Sequence, residues 1–323
     1  MELIFLFSLP RSGSTILQRL LAAHSKISTV SEPWLLLPFS YALKSEGLFS
    51  EYDHGTCYKA ISDFVQQLPN KENDYNHALF DFVQTLYKKS CGPEASYFLD
   101  KTPRYYLIIP EIAKIFPNAK FIFLFRNPLQ IMASHIETWT KGKLRLERYY
   151  MDLYRGPKLL AEGYKNLEEK SIKVHFDDLI KNTDKTLKNI LDYLDLEYDS
   201  SLIENFTKVK LEGQLGDKEG YVKYDQVEPK PLEKWKAVFA TRYRKQFAKK
   251  YISKFSQSEL KIFGYDFATL FKLIDDLKIQ KKGLSFDRLD LMISYIFRIC
   301  EVPLFMRKIK LYLLTKESWY VHR

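Results

Sequence analysis

The stretch Leu3-Ile4-Phe5-Leu6-Phe7-Ser8-Leu9-Pro10-Arg11-Ser12-Gly13-Ser14-Thr15-Ile16-Leu17-Gln18-Arg19-Leu20-Leu21 decides the fold. Leu3 to Leu9 is apolar almost throughout and does not alternate. Such a run, stopped by Pro10 and Gly13, reads as a strand buried on both faces of a parallel sheet. From Ile16 the period changes. Ile16, Leu17, Leu20 and Leu21 share one helical face, and Gln18 and Arg19 fall on the other. The segment therefore predicts strand, tight turn, helix. At such a turn the unpaired N–H groups of the helix start and the helix dipole favour an anion. Gly13 permits a positive φ or close approach, Ser14 and Thr15 bring hydroxyls, and Arg11 brings a planar cationic fork. Pro10 to Thr15 thus has the composition of a phosphate cradle. A Walker A loop would place Lys after Gly13, and the residue there is Ser14, which disfavours an ordinary ATPase or kinase.

Two further strands stand out, Lys120 to Phe125 and Ser171 to Phe176, with Tyr97-Phe98-Leu99 as a third candidate. Helical stretches lie between them. In Thr183 to Leu196, Thr183 or Asp184 can cap, and Leu187, Ile190, Leu191 and Leu194 line one face. Alternating strands and helices predict a P-loop-like, doubly wound α/β fold, mainly parallel, with helices on both faces. Ligands of such sheets bind beyond the carboxyl ends of the strands. Pro10–Thr15, Asp100–Arg104 and Arg126–Ser134 each follow a strand, so they should converge. Lys208 to Lys234 is polar and rich in Gly and Pro, and reads as a long functional loop. We expect a main domain over 1–265 and a basic, helical C-terminal extension over 266–323.

The chain has 323 residues, 46% hydrophobic and 28% charged, which argues for a sizeable core over a disordered chain. Fifty Lys+Arg against 40 Asp+Glu leave a charge of +10, suited to an anionic ligand or surface. The three cysteines, Cys57, Cys91 and Cys300, form no disulfide framework or zinc spacing. No carboxylate or His cluster has metal-ligand spacing, and no nucleic-acid motif is present, so neither a metal nor a nucleic acid is expected. Leu291 to Leu314 is broken by Arg298, Glu301, Pro303 and Arg307 and falls short of the ~20 apolar residues of a spanning helix. The chain opens directly on a strand, without a signal-peptide pattern, and reads as cytoplasmic. Its basic tail is a candidate for peripheral membrane contact.

The sequence resembles the sulfotransferases that use 3′-phosphoadenosine 5′-phosphosulfate (PAPS). Pro10 to Thr15 is similar to their 5′-phosphosulfate loop. Phe121 to Ile136 is similar to their 3′-phosphate motif, with Arg126-Asn127-Pro128 and Ser134 eight residues after Arg126. Val174-His175-Phe176-Asp177-Asp178-Leu179 and Tyr193-Leu194-Asp195-Leu196 resemble a third stretch, and Trp235-Lys236 a fourth. The resemblance runs in order from residue 3 to about 265. It implies that Pro10, Arg11, Ser12, Gly13, Ser14 and Thr15 hold the 5′-phosphosulfate and that Arg126 and Ser134 hold the 3′-phosphate. The resemblance also implies that Lys230 closes over the 3′-phosphate from the long loop, that Lys101, in Asp100-Lys101-Thr102-Pro103-Arg104, steadies the transferring sulfuryl, and that no metal is required.

Cytosolic aryl and steroid members have Lys-Thr-His, whose His is the base. Here Pro103 stands in its place. The carbohydrate and tyrosylprotein types use a Glu beyond the first helix, and Ser31-Glu32-Pro33-Trp34 is similar to the Glu-Pro stretch of the carbohydrate type. Glu32 is then the candidate base, ahead of His24, His54 and Asp100, with a helix-capping role as the competing reading. The implied activity is in-line sulfuryl transfer from PAPS to a hydroxyl, on a carbohydrate or glycolipid, with catalytic residues Glu32, Lys101 and Arg11. A protein tyrosine is the second acceptor. A P-loop phosphotransferase and a non-catalytic nucleotide- or glycan-binding module are the competing functions.

Overall fold

The computed structural model describes residues 1–48, 50, 52–213, 215, 230–280 and 286–315. It divides into two compact units. One comprises 1–33, 90–107 and 119–294, the other 34–89, 108–118 and 295–323.

The first unit holds the sheet. Its strands are β1 (Glu2–Ser8), β2 (Ile27–Thr29), β3 (Tyr97–Asp100), β4 (Lys120–Phe125) and β5 (Ser171–His175), in spatial order β2-β3-β1-β4-β5. Every pairing is parallel: Phe5 lies opposite Asp100 in β3, Ser8 opposite Leu124 in β4, Phe125 opposite His175 in β5, and Thr29 opposite Leu99. The expected doubly wound α/β sheet is thus present, with β1 at its centre. A parallel sheet has helices on its faces, so its central strands carry apolar residues at every position. Ile4, Leu6, Ile122 and Leu124 pack into one cluster with Ile16, Leu17, Leu20, Leu187, Ile190 and Leu191. Their odd-numbered neighbours build an aromatic layer. Phe7 stacks on Phe121 at 5.9 Å and Phe125 meets Tyr164 edge-on at 5.6 Å.

Three local expectations change. The helix after residue 182 spans Thr183–Tyr193, and Asn182 is its N-cap, without a side-chain capping bond. Neither Thr183 nor Asp184 caps it. The expected loop to Lys234 ends early, because Lys230–Val238 is helical. Residues 214 and 216–229 of that loop lie outside the described residues. Gln18 and Arg19, expected on a polar face, are both buried. Helix α1 (Ser14–Ala22) is covered on that side too, where Arg19 donates to the Thr207 carbonyl at 2.9 Å and lies over the Phe206 ring.

The second unit is helical. Its helices include Leu36–Tyr41, His54–Gln67, Glu72–Lys89 and Ile109–Ile115. Asp53 caps the second of these by accepting from the Gly55 and Thr56 amides. Phe80 packs on Phe116 at 5.5 Å, and Lys114 pairs with Glu72. After about residue 266 the described residues form the helices Phe267–Asp275, Asp287–Ile299 and Val302–Thr315. None of the described helices is long and apolar enough to cross a membrane.

Candidate active site

The turn between β1 and α1 takes two left-handed steps, at Arg11 (φ 68) and Gly13 (φ 87). Glycine makes the second without cost. A positive φ at a non-glycine residue is strained, and such strain collects at ligand sites. Gly13 is also a close approach. A Cβ there would lie 2.2 Å from Phe176 Cε2. The Arg126 guanidinium lies 4.1 Å from the centroid of the same ring. Phe176, the first residue after β5, is therefore gripped by the turn after β1 and by the arginine after β4.

Arg126 is buried. It donates to the Arg11 carbonyl at 2.8 Å and to Gln130 Oε1 at 2.8 Å. Gln130 donates in turn to Asp177, which also accepts from Tyr265. Burial, first, and the Asp177 carboxylate push the Tyr265 hydroxyl well up, so it stays a donor. Asn127 caps the helix Pro128–Thr138 by accepting from the Leu129 amide, and Pro128 is its first residue. That helix brings Ser134 to Arg11. Arg11 Nε donates to Ser134 Oγ at 3.0 Å and an N–H of its fork to Thr138 Oγ1 at 3.4 Å, with Trp139 5.6 Å from the guanidinium. Arg11, Arg126 and Ser134 thus come together, and the main chain of the cradle is held by Arg126.

Ser8 Oγ and Ser12 Oγ are fully buried and have no hydrogen-bond partner among the described residues. A buried hydroxyl without a partner carries a free-energy cost. Two of them at one strand-to-helix turn fit a cradle built for an oxyanion. Pro10 and Ser14 are buried, and Thr15 is half-buried at the helix start.

The second part of the site lies at the ends of β3 and β2. Lys101 Nζ donates to Glu32 Oε1 at 2.7 Å, with the lysine side chain 1% and the glutamate 12% exposed. Glu32 is not a helix cap, because the next helix starts at Leu36 with Leu35 as N-cap. Its loop is held from behind. Gln18, inside α1, donates to Thr29 Oγ1, the Val30 carbonyl and the Ser31 carbonyl at 2.8, 2.7 and 3.1 Å. Thr29 Oγ1 donates to the Leu99 carbonyl, the Ser31 amide to the Glu212 carbonyl, and Ser31 Oγ to the Leu215 carbonyl. The motif after β1 thereby positions the loop that carries Glu32.

The other candidate bases are placed differently. Asp100 accepts from Thr102 and Tyr105 inside the core. His54 lies in the helical unit with Nε2 2.8 Å from the Lys44 carbonyl, and His24 accepts from the Lys26 amide. Trp235 is buried in its helix. Lys230 opens that helix, and its side chain lies outside the described residues. Among the described residues no group of three or more His, Cys, Asp or Glu could hold a metal ion.

Sequence reasoning missed Gln18, Gln130, Thr138, Trp139 and Tyr265. Gln18 left one usable signal, an amide within a run of apolar helix residues. The arginine side of the site is extended around the buried Asp152: the partly exposed Arg104 grips it with two hydrogen bonds, and Asp152 also accepts from Tyr106 at 2.6 Å. His135 lies beneath, packed on Trp139 and Tyr149, and burial pushes its imidazole down to about 4.

Comparison with known proteins gives this geometry a relationship. A sequence profile described as the sulfotransferase family matches residues 3–200. The nodulation protein NoeE of Sinorhizobium fredii is 32% identical over 141 residues, 42% of this chain and 31% of its own. A putative protein-tyrosine sulfotransferase of Caenorhabditis briggsae is 24% identical over 226 residues, 68% of this chain and 74% of its own. The match to NoeE thus spans less than a third of that protein. Among solved structures, the sulfotransferase domain of the Synechococcus olefin synthase superposes with a TM-score of 0.49 at 21% identity, over 82% of this chain and 94% of that domain. The span matched by the profile runs from β1 past β5 and takes in every strand of the sheet, so this chain belongs to the sulfotransferase family.

Proposed function

We propose that the protein transfers a sulfuryl group from PAPS to an acceptor hydroxyl. The observation that carries this reading is the Lys101–Glu32 pair, 2.7 Å apart and nearly out of water. PAPS, when bound, supplies the activated sulfuryl group. Glu32 accepts the acceptor's proton as the new bond to sulfur develops, a role that needs hydrogen-bond reach. Lys101 orients Glu32, and an ammonium has three N–H donors, enough to serve both Glu32 and a sulfuryl oxygen. Fixed donors aimed where negative charge builds are the main source of acceleration in such transfers. Here they are Lys101, Arg11 and the N–H groups of Gly13, Ser14 and Thr15.

Arg126 and Ser134 hold the 3′-phosphate, and Lys230 closes over it from the start of its helix. Arg126 also supports the Arg11 carbonyl, so it serves the cradle and the phosphate together. A carbohydrate or glycolipid is the proposed acceptor, on the Ser31-Glu32-Pro33-Trp34 stretch. A protein tyrosine is the second reading, favoured by the name and broad coverage of the Caenorhabditis briggsae relative. The proposed compartment is the cytoplasm.

The experiment is incubation with labelled PAPS and a panel of glycans, glycolipids and tyrosine peptides, read by mass spectrometry, with calorimetry of nucleotide binding. Arg126→Ala should weaken the 3′-phosphorylated product about tenfold or more, since a charged hydrogen bond is worth ~1.5–3 kcal/mol. A nucleotide without that phosphate should lose far less. Equal weakening of both would overturn the 3′-phosphate assignment. ATP turnover without sulfation would favour a phosphotransferase.

A further inference from the structure

The helix Val302–Thr315 exposes large apolar side chains, including Phe305 and Leu313 at 61% each. At 100° per residue, Phe305, Met306, Ile309, Tyr312 and Leu313 fall within a stripe about 120° wide. All five are exposed. An amphipathic helix of a soluble unit turns such a stripe inward, and contiguous exposed apolar surface marks an interaction site. Lys308 and Lys310 flank the stripe, each about 40° beyond one edge, and Arg307 lies behind it. The helix carries no Asp or Glu.

Three properties select the occupant. First, 14 residues span about 21 Å, short of the ~30 Å hydrocarbon core, so the helix can lie on a bilayer but not cross it. Second, flanking lysines beside an apolar stripe match a surface that is anionic outside and apolar beneath, the arrangement of interfacial helices. Third, three cations without a carboxylate oppose the docking of a second copy of the same helix.

We propose that Val302–Thr315 is an interfacial anchor that seats this protein on an anionic phospholipid bilayer. The apolar stripe enters the headgroup boundary, and Lys308 and Lys310 meet lipid phosphates. The inference stands independently of the acceptor and of the catalytic reading.

The test is co-sedimentation of the full chain with phosphatidylcholine vesicles, with and without phosphatidylglycerol, across a salt series. Strong binding is expected only with phosphatidylglycerol, weakening as salt rises. A basic residue near an anionic surface is worth about fivefold in affinity, so Lys308→Gln/Lys310→Gln should weaken binding about 30-fold. Phe305→Ser/Leu313→Ser should abolish it. Both variants should keep the wild-type melting midpoint and nucleotide affinity, since Phe305, Lys310 and Leu313 are exposed, Lys308 is half-buried, and all four lie outside the site. Three results would overturn the proposal: equal binding to both vesicle types, variants that bind like wild type, or no vesicle binding with dimers in light scattering. The last would assign the stripe to a second copy of the chain.

Discussion

Lys101→Met keeps the aliphatic stem and removes the ammonium. With Lys101 1% and Glu32 12% exposed, the pair is almost out of water, and the variant takes from a nearly buried carboxylate its ammonium partner. Losing one partner of a buried pair costs about 3–5 kcal/mol, and the residual exposure of Glu32 puts the expected loss near 3 kcal/mol. Glu32→Gln strands the ammonium less severely, because the amide oxygen can still accept from Nζ. The difference between a charged and a neutral hydrogen bond gives about 1 kcal/mol. The double variant leaves neither charge stranded, so its loss should fall short of the summed single losses by about 1–3 kcal/mol. Turnover should behave differently. Losing a general base costs ~10²–10⁴ in rate, and the double variant should recover none of it. Urea unfolding of the four proteins gives the coupling, and single-turnover kinetics with PAPS and a confirmed acceptor give the rate. Additive stability losses would refute the ion pair. A Glu32→Gln enzyme within a few-fold of wild type would refute the base.

Three further outcomes are expected. Gly13→Ala forces a left-handed alanine, worth about 1–2 kcal/mol, and drives its Cβ into the Phe176 ring, so the melting midpoint should drop; Phe176→Leu in the same chain should recover part of the loss. Gln18→Leu removes three hydrogen bonds to residues 29–31; kcat should fall about tenfold, while nucleotide affinity in calorimetry stays within a few-fold. His135, held near 4 by burial against 6.5 unfolded, takes up its proton more readily in the unfolded chain. Its contribution is therefore complete above about pH 6.5 and is lost as pH falls toward 4, up to about 3 kcal/mol. Urea midpoints between pH 7 and pH 4.5 should fall more steeply for the wild type than for His135→Gln.

The strands that place the site were legible wherever both faces are covered. β1 and β4 read as unbroken apolar runs because each is flanked by a strand on either side and by helices above and below. β2 was invisible. It has three residues, pairs only with β3 and carries Ser28 and Thr29, a pattern indistinguishable from a turn. The cradle was legible because its residue types are dictated by backbone geometry and anion chemistry. Its meeting with Ser134 could be inferred only from the convergence of strand ends. The Lys101–Glu32 contact joins positions 69 apart and has no local signature. Resemblance pointed to each residue separately, and the geometry supplied their pairing. Gln18 misled for a physical reason: an amide that satisfies buried carbonyls has the same periodicity as one facing water.

The grip on Phe176 has a consequence for how the protein is made. Arg11 bonds to a hydroxyl 123 positions later, and Arg126 closes on the Arg11 carbonyl 115 positions after it. Phe176 and Asp177 emerge later still. At ~5–20 residues per second, the nascent chain carries its first strand and turn for on the order of 10 s before those supports exist. For the first part of that time, until residues 97–125 have emerged, β1, apolar along its length, has neither β3 nor β4 beside it and is a sticky edge in search of a partner. A ribosome stalled before position 176 therefore holds a chain whose turn after β1 cannot set, and such chains should depend on chaperones until β5 and the residues after it have cleared the exit tunnel.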